Sequence, residues 1–125
     1  MSLHLTLKPN ERIYVNGAVL RFDRKTSLEF LNDVQFLMEA HVIQFEQATT
    51  PLRKLYYLVQ CRMMEPHNDT SWVHNYESQL ADIRKRCADL DTHEGVDRVD
   101  GLVSRGRRHE ALKILRKMFE PEPDQ

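Results

Sequence analysis

The hydrophobic pattern of this chain changes period once, near residue 44, and that change restricts the fold more than any other feature. Up to residue 43 the apolar residues come in steps of two. Leu3, Leu5 and Leu7 alternate with His4 and Thr6, as in a strand buried on one face. Beyond residue 44 they come in steps of three and four, as in Leu52, Leu55, Tyr56, Val59 and Met63. Strands gathered first and helices second indicate an α+β protein rather than alternating βαβ units.

The turn residues divide the first part into short antiparallel strands. Pro9 and Asn10 break the opening run. Asn16-Gly17 stands between "RIYV" and "AVLRF", and both residues accept the positive φ that a two-residue type I′ hairpin requires. "DRK" at 23–25 turns the chain again before a strand from Thr26 to Leu31. Asn32-Asp33 make the next turn and Val34–Met38 the next strand, with a further bulged strand over 37–43. The expectation is a β-meander of four to six short strands.

The second part reads as a bundle of about four helices. Thr50 is placed to cap the first, with Pro51 at its first position. Pro66 ends it, and Asp69 or Thr70 caps the next. There Trp72, Tyr76, Leu80, Ile83 and Cys87 form one stripe. A third helix spans about Thr92–Ser104. Gly106 punctuates it, and "RRHEALKILRKMF" supplies the fourth, with Ala111, Leu112, Leu115, Met118 and Phe119 inward. Adjacent Tyr56 and Tyr57 lie about 100° apart on a helix, so only one of them enters the core. The organisation is a β-rich module at 1–48, a helical module at 49–120 and a frayed acidic tail at 121–125, folding as one cooperative domain of 125 residues.

Composition removes several function classes. The net charge is -1, so no global field draws the chain to nucleic acid, and any such site is a local patch. Residues 1–64 carry a net +2 and residues 65–125 a net -3. Cys61 and Cys87 form no C-x-x-C pair, and their helical positions suit small core residues with reduced thiols. The start "MSLHLTLKP" lacks the basic and apolar regions of a signal peptide, and no apolar run is long enough to span a bilayer. A cytoplasmic protein is expected. The six histidines include no metal-binding helical pair, and no nucleophile stands beside a base. The residues therefore call for no enzyme, metal or cofactor.

Four basic clusters remain. Arg21, Arg24 and Lys25 surround one turn, and Arg53 and Lys54 open the first helix. Arg84–Arg86 close the second helix, and Arg105, Arg107 and Arg108 surround a helix junction. Such residues neutralise phosphates, and arginine also stacks on unpaired bases.

The order "LKPNERIYVNGAV", "TTPLRKLYYLVQ" and a helical half ending in "EALKILRKM" resembles the FlbT family of flagellum-biosynthesis repressors over nearly the whole chain. The most specific pieces are "NGAV" at 16–19 and "TPLRKLYYLVQ" at 50–60. The resemblance implies a post-transcriptional regulator of flagellin production, associated with the 5′ untranslated region of flagellin mRNA and promoting its decay or blocking its translation. Some members act positively on flagellin. The family works alongside the small regulator FlaF, which implies protein partners as well.

Two readings follow. In the first, Arg21, Arg24, Lys25, Arg53 and Lys54 contact RNA phosphates. In the second, the chain is an adaptor that binds flagellin or a FlaF-type protein, with Trp72 and Tyr76 as the anchor pair. A homodimer is also expected. The strand "LHLTL" carries no Lys, Arg, Asp, Glu or proline, and an unprotected edge invites pairing with a second chain.

Overall fold

The computed structural model describes residues 3–65 and 70–119. Five strands come first: β1 (Leu3–Leu7), β2 (Arg12–Val15), β3 (Ala18–Arg21), β4 (Thr26–Phe30) and β5 (Phe36–Met38). Short 3₁₀ turns at Glu39–His41 and Phe45–Gln47 lead into four helices: α1 (Pro51–Met64), α2 (Thr70–Arg86), α3 (Leu90–Ser104) and α4 (Arg108–Phe119). The fold is α+β with antiparallel strands, as the change of period predicts.

The strand order is not that of a simple meander. Only β2 and β3 pair as sequence neighbours, around Asn16 (φ 49°) and Gly17 (φ 87°), the two positive values of a type I′ turn. β5 takes the other edge of β2, giving the order β3-β2-β5. β1 skips the hairpin in sequence and pairs with β4 in a second sheet, from Leu3↔Phe30 to Leu7↔Thr26. Asn10, at φ 65°, turns the chain between β1 and β2, and its N–H donates to the Phe22 carbonyl at 2.7 Å. The β2–β3 hairpin thus lies, in sequence, between the two strands of the other sheet. Leu7 and Ile13 are fully buried, and the Phe30 and Phe36 rings meet at 5.4 Å where β4 approaches β5.

The further strand expected over 37–43 is absent; residues 39–41 form a 3₁₀ turn. The physical reason is a competing partner. Side chains of α1 take the backbone groups that a ladder would use: Tyr56 Oη donates to the His41 carbonyl, and Gln60 pairs with the backbone of Ile43.

The helix ends follow their caps. The Thr50 side chain accepts from the Arg53 N–H at 3.1 Å, with Pro51 at the first position. Asp89 accepts from the Thr92 N–H, which starts α3 two residues before Thr92. At the far end of α3, Gly106 (φ 76°) donates to the Val103 carbonyl and Arg107 to that of Leu102, a Schellman pattern. The start of α4 is capped from a distance, since Gln35 Oε1 accepts from the N–H groups of Arg108 and His109. Pro66, Asp69 and the tail at 121–125 lie outside the described residues.

The main core lies among the helices and reaches the sheet through Leu37. It holds Leu55, Tyr56, Val59, Ile83, Val96, Val99, Leu112 and Leu115, with Tyr14 packed against it from β2. Tyr56 is the tyrosine of the pair that enters; Tyr57 stays half-buried, edge-on to Phe45. Both cysteines are free thiols and half-buried.

Candidate nucleic-acid interface

The two-residue turn fixes the register of its strands, and the register sets one basic pair. Arg12 lies directly opposite Arg21, and Tyr14 opposite Val19, so all four side chains share one face of the sheet. Like charges directly opposite each other destabilise a sheet. Among the described residues, neither the Arg12 nor the Arg21 side chain joins an ion pair. The Glu39 carboxylate approaches Arg12 but accepts from its backbone N–H, at 2.9 Å. Both arginines are exposed. Arg24 and Lys25 follow on the next turn, also exposed, with Arg24 loosely paired to Asp23 at 3.4 Å.

The other two expected contact residues sit on a different element. Arg53 lies in the first turn of α1, its guanidinium 5.0 Å from the centre of the Phe119 ring. Phe119 meets Tyr56 edge-on at 5.4 Å, and Arg116 donates to Tyr56 Oη at 3.0 Å. This cluster of guanidinium groups and aromatic rings borders a shallow cleft of about 160 Å³ with His41 and Ile43. Lys54, the next residue of α1, is exposed. The five residues thus fall into two groups, Arg21, Arg24 and Lys25 on the sheet and Arg53 and Lys54 on α1.

In the remaining basic clusters, three arginines are already paired. Arg84 pairs with Asp97 at 2.7 Å and Arg86 with Asp82 at 2.8 Å. Arg107 is held by Glu110 through two nitrogens and approaches Asp33 at 3.5 Å. That pairing keeps the Glu110 carboxyl below its ordinary range.

Trp72 and Tyr76 are engaged within the chain. Their rings stack at 4.9 Å, Trp72 Nε1 donates to the Leu58 carbonyl, and Arg62 lies over the indole. Tyr76 is in the core, its hydroxyl donating to Asp100 at 3.0 Å. Burial and that carboxylate push its ionisation far above the ordinary tyrosine range. Only Trp72, half-buried, keeps any surface to offer a partner.

The sequence reading missed Arg12. The signal was present: a two-residue turn at 16–17 places residue 12 opposite residue 21 by counting outward. Among the described residues no group of three or more His, Cys, Asp or Glu gathers in a way that could hold a metal. No described helix is long and apolar enough to cross a membrane. The interface can neutralise phosphates through the sheet arginines and stack a base beside a guanidinium; those are binding capacities.

A family model described as flagellar protein FlbT matches residues 3–124. The chain is 41% identical over 118 residues to the probable flagellum biosynthesis repressor protein FlbT of Mesorhizobium japonicum, covering 94% of this chain and 80% of the relative. The protein of the same name from Agrobacterium fabrum is 42% identical over 118 residues, covering 94% and 79%. That from Chelativorans is 42% identical over 123 residues, covering 98% and 85%. No solved structure matches.

Proposed function

The chain belongs to the FlbT family of flagellar proteins, and from that premise we propose that it is a non-catalytic, RNA-directed regulator of flagellum biosynthesis. It holds the 5′ untranslated leader of flagellin mRNA and represses the message, by blocking ribosome access or by exposing the transcript to nucleases. The names of its relatives support repression. The observation that carries the RNA reading is the Arg12–Arg21 pair. Two facing arginines that share no ion pair repel each other within a sheet, and a bound polyanion would supply the opposite charge. Arg24 and Lys25 extend the patch, and the Arg53–Phe119 pair offers a place for an unstacked base. Ultraviolet crosslinking of the purified protein to flagellin leader RNA tests the reading. Crosslinked peptides from residues 12–25 support it, and no crosslink above that of an unrelated RNA rejects it.

A second reading is favoured by one other observation. A cleft of about 360 Å³ between α1 and residues 42–44 is lined by Tyr14, Ile43, Tyr57, Cys61 and Met64. Phe45 is 70% exposed, with its ring against that of Tyr57. In this reading the chain is an adaptor for flagellin or a FlaF-type protein, and RNA contact is indirect. Flagellin that stays bound to the purified protein after nuclease treatment supports the adaptor.

A further inference from the structure

The exposed side of α3 carries an ordered row of residues that the RNA reading does not use. Steps of three and four place Glu94, Arg98, Gly101 and Arg105 along one face, opposite the buried Val96 and Val99. All four are exposed. The charges are segregated, with acid toward the N-terminal end and arginines toward the C-terminal end. Among the described residues neither Glu94, Arg98 nor Arg105 takes part in an ion pair. The neighbouring carboxylates are already held, Asp97 by Arg84 and Glu110 by Arg107.

Two glycines in this helix differ in what explains them. A Cβ on Gly95 would come within 2.6 Å of Met118 Cε, so a larger residue there would have to displace the end of the Met118 side chain where α4 packs on α3. A Cβ on Gly101 would meet no atom within 4 Å. A glycine inside a helix costs about 1 kcal/mol relative to alanine, and no close approach by another described residue calls for one at Gly101. Gly101 also lies in a shallow groove of about 340 Å³ between α3 and α4, with Leu102 and Ile114 on its walls and Arg98 and Arg105 at its rim.

We propose that this face of α3 is a docking surface for the same face of a second copy of the chain, the two α3 helices packed antiparallel about a twofold axis. An axis midway between Arg98 and Gly101 sets Glu94 against the second copy's Arg105, and Arg105 against its Glu94. The same axis lays the stem of each Arg98 over the bare backbone of the other copy's Gly101, the close approach a glycine permits. A row that runs from acid to base is complementary to itself only when reversed, so the occupant is another copy of this row and the interface is isologous. The open edges of β1 and β3 offer no such pairing of opposite charges. The dimer also brings two sheet patches into one particle, which suits a chain of net charge -1 that holds RNA.

Light scattering on the nucleic-acid-free, full-length protein at micromolar concentration tests the proposal. The expected mass is twice the 14.8 kDa of one chain. Arg105→Glu alone, or Glu94→Arg alone, sets like charges together at both contacts, so each variant runs as a single chain. An equimolar mixture of these two variants restores opposite charges at both contacts and regains the doubled mass. A wild-type mass of one chain overturns the proposal. So do single variants that remain dimeric, or a mixture that remains monomeric.

Discussion

The Gln60 side chain pairs with Ile43 as a neighbouring strand would: its Oε1 accepts from the Ile43 N–H at 2.8 Å and its Nε2 donates to the Ile43 carbonyl at 2.8 Å. Gln60 is only 3% exposed, the one polar side chain in the core of the described residues. One amide thereby ties the connection between sheet and bundle to α1 and satisfies two backbone groups that have no ladder.

Gln60→Leu keeps the volume and removes both bonds. Each backbone group left unsatisfied costs about 1–3 kcal/mol, so the variant should lose about 2–6 kcal/mol. Urea denaturation monitored by circular dichroism reads the loss as a lower midpoint. An unchanged midpoint would mean that water reaches Ile43 and that the bridge is dispensable.

Gly17→Val places a β-branched residue at φ 87° and should cost about 1 kcal/mol or more. The thermal midpoint should fall by a few degrees. RNA affinity measured well below that midpoint should stay at the wild-type level, because the turn sets the register and is not itself a contact. Equal stability would show that the turn tolerates another geometry.

His109 gives the fold an acid limit. Its ring stands 5.4 Å from that of Phe36, and its buried Nδ1 has no hydrogen-bond partner among the described residues. Burial holds its pKa below 6.5, with Arg107 and Lys113 acting in the same sense and Glu110 and Asp33 opposing. A group whose folded pKa is depressed contributes stability that is present above its unfolded pKa and lost as pH falls through the folded value. Stability should therefore decline as pH drops below about 6.5, the unperturbed histidine value. His109→Phe should flatten that decline, which denaturant midpoints at pH 7.5 and pH 5.5 compare directly. A variant with the same pH dependence as wild type assigns the decline to other groups.

The sequence made the local structure legible and left the pairings hidden. Asn16-Gly17 announces its hairpin because both residues tolerate positive φ, and Thr50-Pro51 announces its helix through a cap and a fixed ring. The partnership of β1 with β4 is not local, since nothing in "LHLTL" distinguishes a neighbour in sequence from one enclosing a hairpin. The role of Gln60 is equally non-local, since its partner Ile43 lies 17 residues earlier. Tyr76 reads as a candidate anchor for another protein, but the core uses its ring and Asp100 its hydroxyl. For the basic residues, sequence shows where the cations are and the fold shows which of them are already paired.

The central claim is that unpaired sheet arginines hold RNA phosphates, and the salt dependence of binding tests it most directly. Fluorescence anisotropy with labelled flagellin leader RNA gives Kd across a range of salt concentrations. For single strands, each phosphate contact contributes about 0.7 to the slope of log affinity against log salt. The account predicts a steep slope for the wild-type protein. In Arg12→Gln/Arg21→Gln the slope should be shallower by about 1.4, two such contacts fewer, with weaker binding at every salt concentration. Wild-type affinity that ignores salt, or a double variant that matches the wild type in both slope and affinity, would contradict it.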